Sequence, residues 1–244
     1  SFIQKLEDDS FYYSDYEFVT NSQLGLVKKD VRTYKLIRDN PHLRTETFPM
    51  IFGRAYHVAM LEPEKLPSFK IVDVASRNSK AYKELAEETG EMMLLQKEKE
   101  NLDKVIGSMK GNMDMFEAIY DKTNQYEVPL VKVIHDEWWK GKADIVCTDK
   151  IIDLKTTSDL NKFKQSAYRY NYDSQAYIYQ ELFGLPMEFY VIDKSTLQLA
   201  VFTTSPEFLQ RGKAKVEQAI HIYNKFFSKV ATEEISTYVH HEVL

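Results

Sequence analysis

The segment GKADIVCTDKIIDLKTT, residues 141–157, decides the fold of this 244-residue chain. It contains two short apolar runs rich in β-branched residues, ADIVC and KIIDLK, and a polar Thr148–Asp149 pair lies between them. This pattern is typical of a β-hairpin. Each run also carries an aspartate, Asp144 or Asp153, a residue type that strands usually avoid. The segment therefore predicts a hairpin in which the two carboxylates have a functional role.

The register of this hairpin predicts that the two carboxylates meet. If Cys147 pairs with Lys150, Asp144 lies directly opposite Asp153, and Lys155 shares their face because side chains alternate along a strand. The other face then holds the apolar residues Ala143, Ile145, Ile152 and Leu154. Two opposed carboxylates have Cβ atoms about 4.5–5.5 Å apart and repel each other, so they need a cation. A solvated face neutralised by lysine is the alternative, but the carboxylate pair favours a functional site.

The composition excludes several classes of protein. Cys147 is the only cysteine, which excludes an internal disulfide framework, a cysteine-rich zinc site and a four-cysteine iron–sulfur cluster, and fits a reducing cytoplasm. The formal net charge of −5 is not that of a protein that coats nucleic acid nonspecifically, but it is compatible with a nuclease that has one basic groove. We find no signal peptide and no apolar run of membrane-spanning length, and we expect a cytoplasmic protein with no membrane partner.

The order of predicted elements places the hairpin in a mixed domain. We predict helices over residues 19–41, 48 to about 63, 76–122 (with breaks at Gly90 and Gly111), 159–184 and 206–229, and strands over 127–135, 143–147, 150–155, 187–194 and 196–204. This order indicates an α/β or α+β domain whose helices pack on a central sheet. We interpret residues 1–244 as a single domain, with an N-terminal helical part over about 1–125, a catalytic sheet and helices over about 126–229, and a short tail over 230–244.

Asp144, followed by Asp153-Leu154-Lys155 at the end of a three-strand meander, resembles the core of the PD-(D/E)xK nucleases. Three other segments support the resemblance. FGRAYHVAMLEPE is similar to the Gly-x-x-x-His and Leu-Glu-Pro-Glu segments of the RecB-like and exonuclease VIII (RecE-like) branches. DLKTT is similar to the way these branches continue their third motif, the one that contains the Asp-x-Lys residues. YDSQAYIYQ contains their Gln-x-x-x-Tyr motif. The phage-type exonuclease VIII family is the most similar, over about residues 21–184. The resemblance implies a restriction-endonuclease-like core, a central mixed sheet flanked by helices.

The resemblance also implies a metal site. Asp144, Asp153 and the carbonyl of Leu154 would supply the oxygen ligands that Mg²⁺ or Mn²⁺ prefers. His57 would complete the coordination shell of the metal. The alternative is that His57 is a structural histidine whose hydrogen bonds are satisfied on an apolar helix face. Lys155 would orient the attacking water and stabilise charge on the phosphoryl oxygens.

Two residues on the following helix are further candidates for catalytic roles. Gln175 and Tyr179 lie one helical turn apart and would present one face to the cleft, although a core tyrosine beside a surface glutamine is the alternative. Glu127 could reach a second metal, but we interpret it as a solvated residue at the end of a strand. The predicted phosphate contacts are Lys140, Lys142, Lys162, Lys164 and Arg169; Lys28, Lys29 and Arg32 could serve likewise or form a solvated helix face.

The resemblance implies a metal-dependent DNA exonuclease that resects double-stranded DNA ends from 5′ to 3′. The 3′ overhang would pass to an annealing protein of the RecT or Redβ kind. A structure-specific or restriction-type endonuclease and a non-catalytic DNA-binding module are the alternatives. Enzymes of this branch work as closed rings, so we expect a cyclic trimer or tetramer. The helix predicted over 206–229 could pack at such an interface or, more commonly, on its own sheet through Phe208, Val216, Ile220, Tyr223 and Phe227.

Overall fold

The computed structural model describes residues 2–239. The helices are α1 (Phe2–Lys5), α2 (Asp9–Ser14), α3 (Asn21–Lys29), α4 (Val31–Asp39), α5 (Phe48–Leu61), α6 (Lys80–Thr89), α7 (Gln96–Gly111), α8 (Met113–Ile119), α9 (Phe163–Arg169), α10 (Tyr172–Phe183) and α11 (Pro206–Phe226). The strands are β1 (Ile71–Val72), β2 (Leu94–Leu95), β3 (Gln125–Ile134), β4 (Glu137–Val146), β5 (Ile151–Thr157), β6 (Met187–Asp193) and β7 (Leu199–Thr203). Short 3₁₀ segments cover Pro41–Leu43, Pro63–Ser68, Leu160–Lys162 and Ile235–Thr237.

A five-stranded mixed sheet forms the centre of the fold, in the order β3-β4-β5-β6-β7. Strands β5 and β6 run parallel, while the other neighbours in this sheet are antiparallel. A parallel pair needs a crossover connection, and α9 and α10 provide it. The predicted meander is confirmed, and its register holds near the turn, since Ile145 pairs with Ile152 and Cys147 N–H donates to the carbonyl of Lys150 at 2.8 Å. The predicted pairing of Asp144 with Asp153 lies beyond the end of this ladder. The mixed α/β fold is likewise confirmed.

Two predicted helices are each divided in the structure. The helix predicted over 19–41 is split at Asp30, because its carboxylate accepts the backbone N–H groups of Arg32 and Thr33 at 3.0 and 3.1 Å and so caps α4. The helix predicted over 159–184 is split at Asn171, which has a φ of 60°. Asparagine tolerates this left-handed conformation better than most residues do. Both divisions come from polar residues that compete with the helix ladder.

Helix α11 ends at Phe226, three residues before the predicted end at 229. Its apolar stripe packs on its own chain, where Val216, Ile220 and Tyr223 are buried against α3 and α10. Gly212 permits the close approach of α10, because a Cβ there would lie 2.1 Å from the carbonyl oxygen of Asp173. Part of the predicted tail, residues 240–244, lies outside the described residues, and the division of the domain stays a prediction.

The helices cover both faces of the sheet. One face packs on α5, α7 and α8 through residues that include Ile145, Ile152 and Leu154. The opposite face packs on α9 and α10 and includes Ile151. Ala143 belongs to this second cluster, so the prediction that it shares a face with Ile145 is wrong. The alternation of β4 therefore changes at the residue between them, Asp144. Over residues 2–239, no helix combines the length and the apolar character that crossing a bilayer requires.

Candidate active site

The site lies where β4 and β5 separate. Their backbone ladder stops at the pair of Ile145 and Ile152. Two residues further along β5, the N–H of Leu154 donates to Asp144 Oδ2 at 2.8 Å instead of to a carbonyl of the neighbouring strand. The carboxylate of Asp144 thus takes the place of a backbone acceptor. We call the opening between β4 and β5 beyond Ile145 and Ile152 the fork, and both aspartates lie at it.

Glu127 on β3 lies opposite Asp144 on β4. The pairs on either side of them remain in register, Tyr126 with Ile145 and Val128 with Ala143. Glu127 itself has a φ of 49°, a left-handed conformation that costs a residue other than glycine about 1–3 kcal/mol. Strain of this kind concentrates at functional sites. The strain and the change of face in β4 occur at the same level of the sheet, where two carboxylates are brought together.

His57 reaches the fork from α5. Its Nδ1 lies 3.3 Å from Asp144 Oδ2, and its Nε2 lies 2.6 Å from the carbonyl oxygen of Leu154. Burial lowers the pKa of His57, but the charge of Asp144 and the hydrogen bond to it outweigh burial and raise this pKa to about 9. In the metal-free protein the ring is therefore protonated and donates through both nitrogens. This places His57 beside Asp144 and Leu154, the neighbours that the sequence predicts for it.

Three potential metal ligands converge in the fork. The ligand atoms of His57, Glu127 and Asp144 all lie within 4.8 Å of one another, and over residues 2–239 this is the one such group of three or more His, Cys, Asp or Glu side chains. Two carboxylates and an imidazole suit Mg²⁺ or Mn²⁺. Asp153, a predicted ligand, is not a member of this group.

Asp153 is instead held by its neighbours on the other side of the fork. Gln175 Nε2 donates to Asp153 Oδ1 at 2.7 Å. Asp153 Oδ2 forms an ion pair with Lys155 Nζ at 2.6 Å, but it receives no hydrogen bond of acceptable geometry although it is buried. This oxygen is thus available as an additional acceptor for a cation. Lys155 Nζ also lies 4.8 Å from the centre of the Tyr172 ring.

Burial and neighbouring charge raise the pKa values of two carboxyl groups at this site. Burial and then the charge of Asp144 raise the pKa of Glu127 to about 8. Burial also raises the pKa of Asp153 to about 6, although the Lys155 ammonium opposes this shift. Burial alone would lower the pKa of Lys155, but the charge of Asp153 outweighs it, so the pKa rises. A divalent cation would relieve the repulsion among these carboxylates.

Residues 34–235 match a protein family described as "PDDEXK-like domain of unknown function (DUF3799)". The chain belongs to this family. Among curated proteins none matches the chain.

Solved structures are similar to this PDDEXK-like domain in fold. A crystal structure from Eubacterium rectale, named "Putative exonuclease", has a TM-score of 0.65 at 16% identity and covers 97% of this chain and 95% of its own. The crystal structure of SSO0001 has a TM-score of 0.44 at 14% identity, over 91% of this chain and 84% of its own. Identities this low show the fold alone.

Tyr179 of the PDDEXK-like domain contacts the scaffold of the site. Its hydroxyl donates to the carbonyl oxygen of Lys142 at 2.9 Å, and its ring lies against Gly141, where an added Cβ would be 3.2 Å from Tyr179 Cε2. Gln175 touches Asp153, one helical turn away. The predicted pair therefore divides into one residue that positions a carboxylate and one that supports β4.

Two of the predicted phosphate contacts are wrong. Lys140 has 1% of its surface exposed, and its Nζ donates to the carbonyls of Tyr12 and Asp15 at 2.7 Å and to Asp15 Oδ2 at 2.8 Å. Lys142 Nζ forms an ion pair with Asp9 Oδ1 at 2.5 Å. Both lysines thus bind the N-terminal segment around α2. Lys162, Lys164 and Arg169 are exposed and stay predictions.

Glu127 is the residue that sequence reasoning underestimated. A signal for it existed, because continuing the meander register from β4 into β3 places Glu127 across from Asp144. The interpretation as a solvated strand end considered this strand alone. The left-handed backbone that turns Glu127 toward the fork has no sequence signature of its own.

Proposed function

We propose that this PDDEXK-like domain is a metal-dependent nuclease that hydrolyses the phosphodiester bonds of DNA. The observation that carries the proposal is the convergence of His57, Glu127 and Asp144 beside the ion pair of Asp153 and Lys155. Buried carboxylates that repel one another are costly to a folded protein. A site of this kind is explained by a cation that it binds.

The residues divide into those that hold the cation and those that act on the substrate. His57, Glu127 and Asp144 would hold Mg²⁺ or Mn²⁺. The carbonyl of Leu154, which lies beside His57, and Asp153 Oδ2, which receives no hydrogen bond, are the further candidates for ligands. When bound, the ion would polarise the scissile phosphate and lower the pKa of a water molecule.

Lys155 would act on the phosphate that is cleaved. Its ammonium is kept charged by Asp153 and fixed over the ring of Tyr172, so it is positioned to stabilise charge that develops on the phosphoryl oxygens. Gln175 keeps Asp153 in the orientation that fixes Lys155. Such preorganised charge acts most strongly where water is largely excluded, and the side chain of Lys155 is only 16% exposed.

The finer proposal is an exonuclease that resects double-stranded DNA ends from 5′ to 3′. Its support is the resemblance of the motifs around His57, Asp153 and Gln175 to the exonuclease VIII branch. Following the same resemblance, we propose a cyclic trimer or tetramer that encloses the duplex and passes a 3′ overhang to a RecT-like or Redβ-like annealing protein. Enclosure would compensate for the net charge of −5, because neutralised phosphates supply most nonspecific affinity for DNA.

A comparison of linear and closed-circular plasmid DNA tests the proposal. We expect Mn²⁺-dependent loss of the linear form from its ends, with the 5′ strand degraded first, while closed circles remain intact. Nicked or linearised circles would instead indicate an endonuclease. A mobility shift of both forms without cleavage would indicate a binding module and contradict the proposal. End-labelling of either strand determines the polarity.

A further inference from the structure

A cavity of about 410 Å³ lies beside the proposed active site. It is formed by the beginning of α5, the beginning of α7 and the segments that follow β5 and β6. Its lining combines two aromatic rings with polar and basic side chains, namely Phe48, Phe52, Lys97, Asn101, Ser158 and Lys194, and also includes Glu98 and Ser195. No residue of the fork lines it, so it is a separate feature of the surface.

The charge of this cavity is positive and not balanced by the protein. Glu98 is neutralised by Arg77, which donates from Nη2 to its Oε2 at 2.6 Å and pairs with its other oxygen through Nη1. Lys97 Nζ donates to the backbone carbonyl of Ala75 at 3.1 Å. Lys194 Nζ lies over the rings of the two phenylalanines, 5.1 and 5.7 Å from their centres. Within residues 2–239, neither lysine has a carboxylate partner.

Lys194 is fixed in place despite this lack of an anion. Its backbone N–H donates to the carbonyl of Thr157 at 2.9 Å, at the end of β5. Its position is therefore tied to the strand that carries Asp153 and Lys155. Burial lowers the pKa of Lys194, and the charge of Asp193 opposes this only in part. An ammonium in such an environment gains from an external anion.

The cavity and the fork share two elements, α5 and β5. Ser158 follows Lys155 by three residues, which is about 10 Å along an extended strand. The cavity is therefore within reach of a phosphate near the one that Lys155 would contact.

We propose that this cavity binds one backbone phosphate of the DNA strand that occupies the active site, with Lys194 and Lys97 as its cations and the hydroxyl of Ser158 as a donor. This inference rests on the proposed nuclease function and adds a defined subsite to it. A contact of this kind fixes the register of the strand without reading sequence.

The test is a phosphate scan in the cleavage-deficient Asp153→Asn variant, so that binding is measured without hydrolysis. Duplex oligonucleotides carry one neutral methylphosphonate at successive positions, and their affinities are measured with the parent and with Lys194→Met. Methionine keeps the apolar contacts with the phenylalanine rings and removes the charge. We expect the parent to lose about tenfold in affinity at one position and Lys194→Met to show no loss at that position.

Lys80→Met is the matched control, since Lys80 on α6 has a side chain that is 90% exposed. It removes the same charge from an exposed side chain that does not line the cavity. We expect Lys194→Met to reduce the slope of log K against log salt by about 1, and Lys80→Met to leave the slope and the scan unchanged. Equal thermal melting of all variants shows that the fold is retained.

Two results would overturn the inference. One is a scan in which Lys194→Met retains every loss of the parent, and the other is a parent that binds no duplex. A scan that Lys194→Met does not change leaves the nuclease proposal intact, because cleavage is measured separately with the wild-type protein. Absence of Mn²⁺-dependent cleavage, in contrast, would contradict the nuclease proposal itself.

Discussion

Glu127 and Asp144 lie opposite each other on adjacent strands, and their carboxylates and the His57 ring lie within 4.8 Å of one another. Asp144 is stabilised by His57 and by the N–H of Leu154. Glu127 has no comparable hydrogen bond or ion pair within residues 2–239 and adopts a left-handed backbone. The Glu127 carboxylate should therefore lower the stability of the metal-free fold and at the same time increase the affinity for a metal ion.

Replacement of Glu127 by glutamine should therefore change the stability of the metal-free protein and the binding of metal in opposite directions. We expect Glu127→Gln to raise the melting temperature of the metal-free protein at pH 8, because it removes a buried charge beside Asp144. It should also weaken the stabilisation that Mn²⁺ provides, since one ligand charge is lost. Thermal melting in EDTA and in a series of Mn²⁺ concentrations measures both effects. A variant with lower stability in EDTA and undiminished stabilisation by Mn²⁺ would contradict the role given to Glu127.

The stability of the metal-free protein should fall as the pH rises from about 5 to about 9. Glu127 and Asp153 have folded-state pKa values raised to about 8 and about 6, so the folded state keeps protons that the unfolded state has released. The pKa of His57, raised to about 9, acts in the same direction, because its contribution is complete below its unfolded pKa and is lost as the pH rises through the folded value.

Denaturant unfolding in EDTA across this pH range measures the trend. Metal binding requires the deprotonated ligands, so saturating Mn²⁺ should flatten or reverse the dependence. A metal-free stability that rises steadily toward pH 9 would show that these groups do not titrate as the structure indicates. Glu127→Gln supplies the control, since it should remove the part of the trend that Glu127 causes.

Gln175 and Tyr179 should differ in their effects on catalysis. Gln175→Leu removes the hydrogen bond to Asp153 Oδ1, and we expect a loss in kcat of about tenfold with little change in DNA affinity. Tyr179→Phe removes a hydrogen bond to the backbone of β4, and we expect a loss of about 1 kcal/mol in the free energy of unfolding and a smaller change in kcat. Single-turnover cleavage and denaturant unfolding distinguish the two, and equal kcat losses would show that both act on the chemistry.

Lys140 should prove to be a structural residue. Its ammonium is buried and binds Tyr12 and Asp15, so Lys140→Met leaves the Asp15 carboxylate without its partner. We expect the free energy of unfolding to fall by about 3–5 kcal/mol and the N-terminal segment to become sensitive to protease. The salt dependence of DNA binding by the folded variant should not change. A decrease in that slope by about 1 would restore Lys140 as a phosphate contact.

The sequence predicts the centre of this site better than its surroundings. The predicted shared face of Asp153 and Lys155 agrees with their ion pair, because alternation along one strand is local geometry. The predicted alternation fails at Ala143, because β4 changes face at Asp144. The contacts of Lys140 and Lys142 with residues near α2 span more than a hundred positions of the chain. No local pattern indicates that the N-terminal segment covers these lysines. The predicted helices are divided at Asp30 and Asn171. Whether a polar residue interrupts a helix depends on its hydrogen bonds and backbone conformation, which the hydrophobic pattern of the sequence does not indicate.

Cleavage of linear duplex DNA by the wild-type protein and by Asp144→Asn is the most direct test of the metal-dependent site. Asparagine keeps the shape of Asp144 and an oxygen for the N–H of Leu154, but it removes the charge that His57 and the cation require. With Mn²⁺ we expect the wild type to degrade the duplex, EDTA to stop it, and the folded variant to be slower by about a hundredfold or more. Cleavage by the wild type in EDTA, or an unchanged rate for Asp144→Asn, would contradict the account.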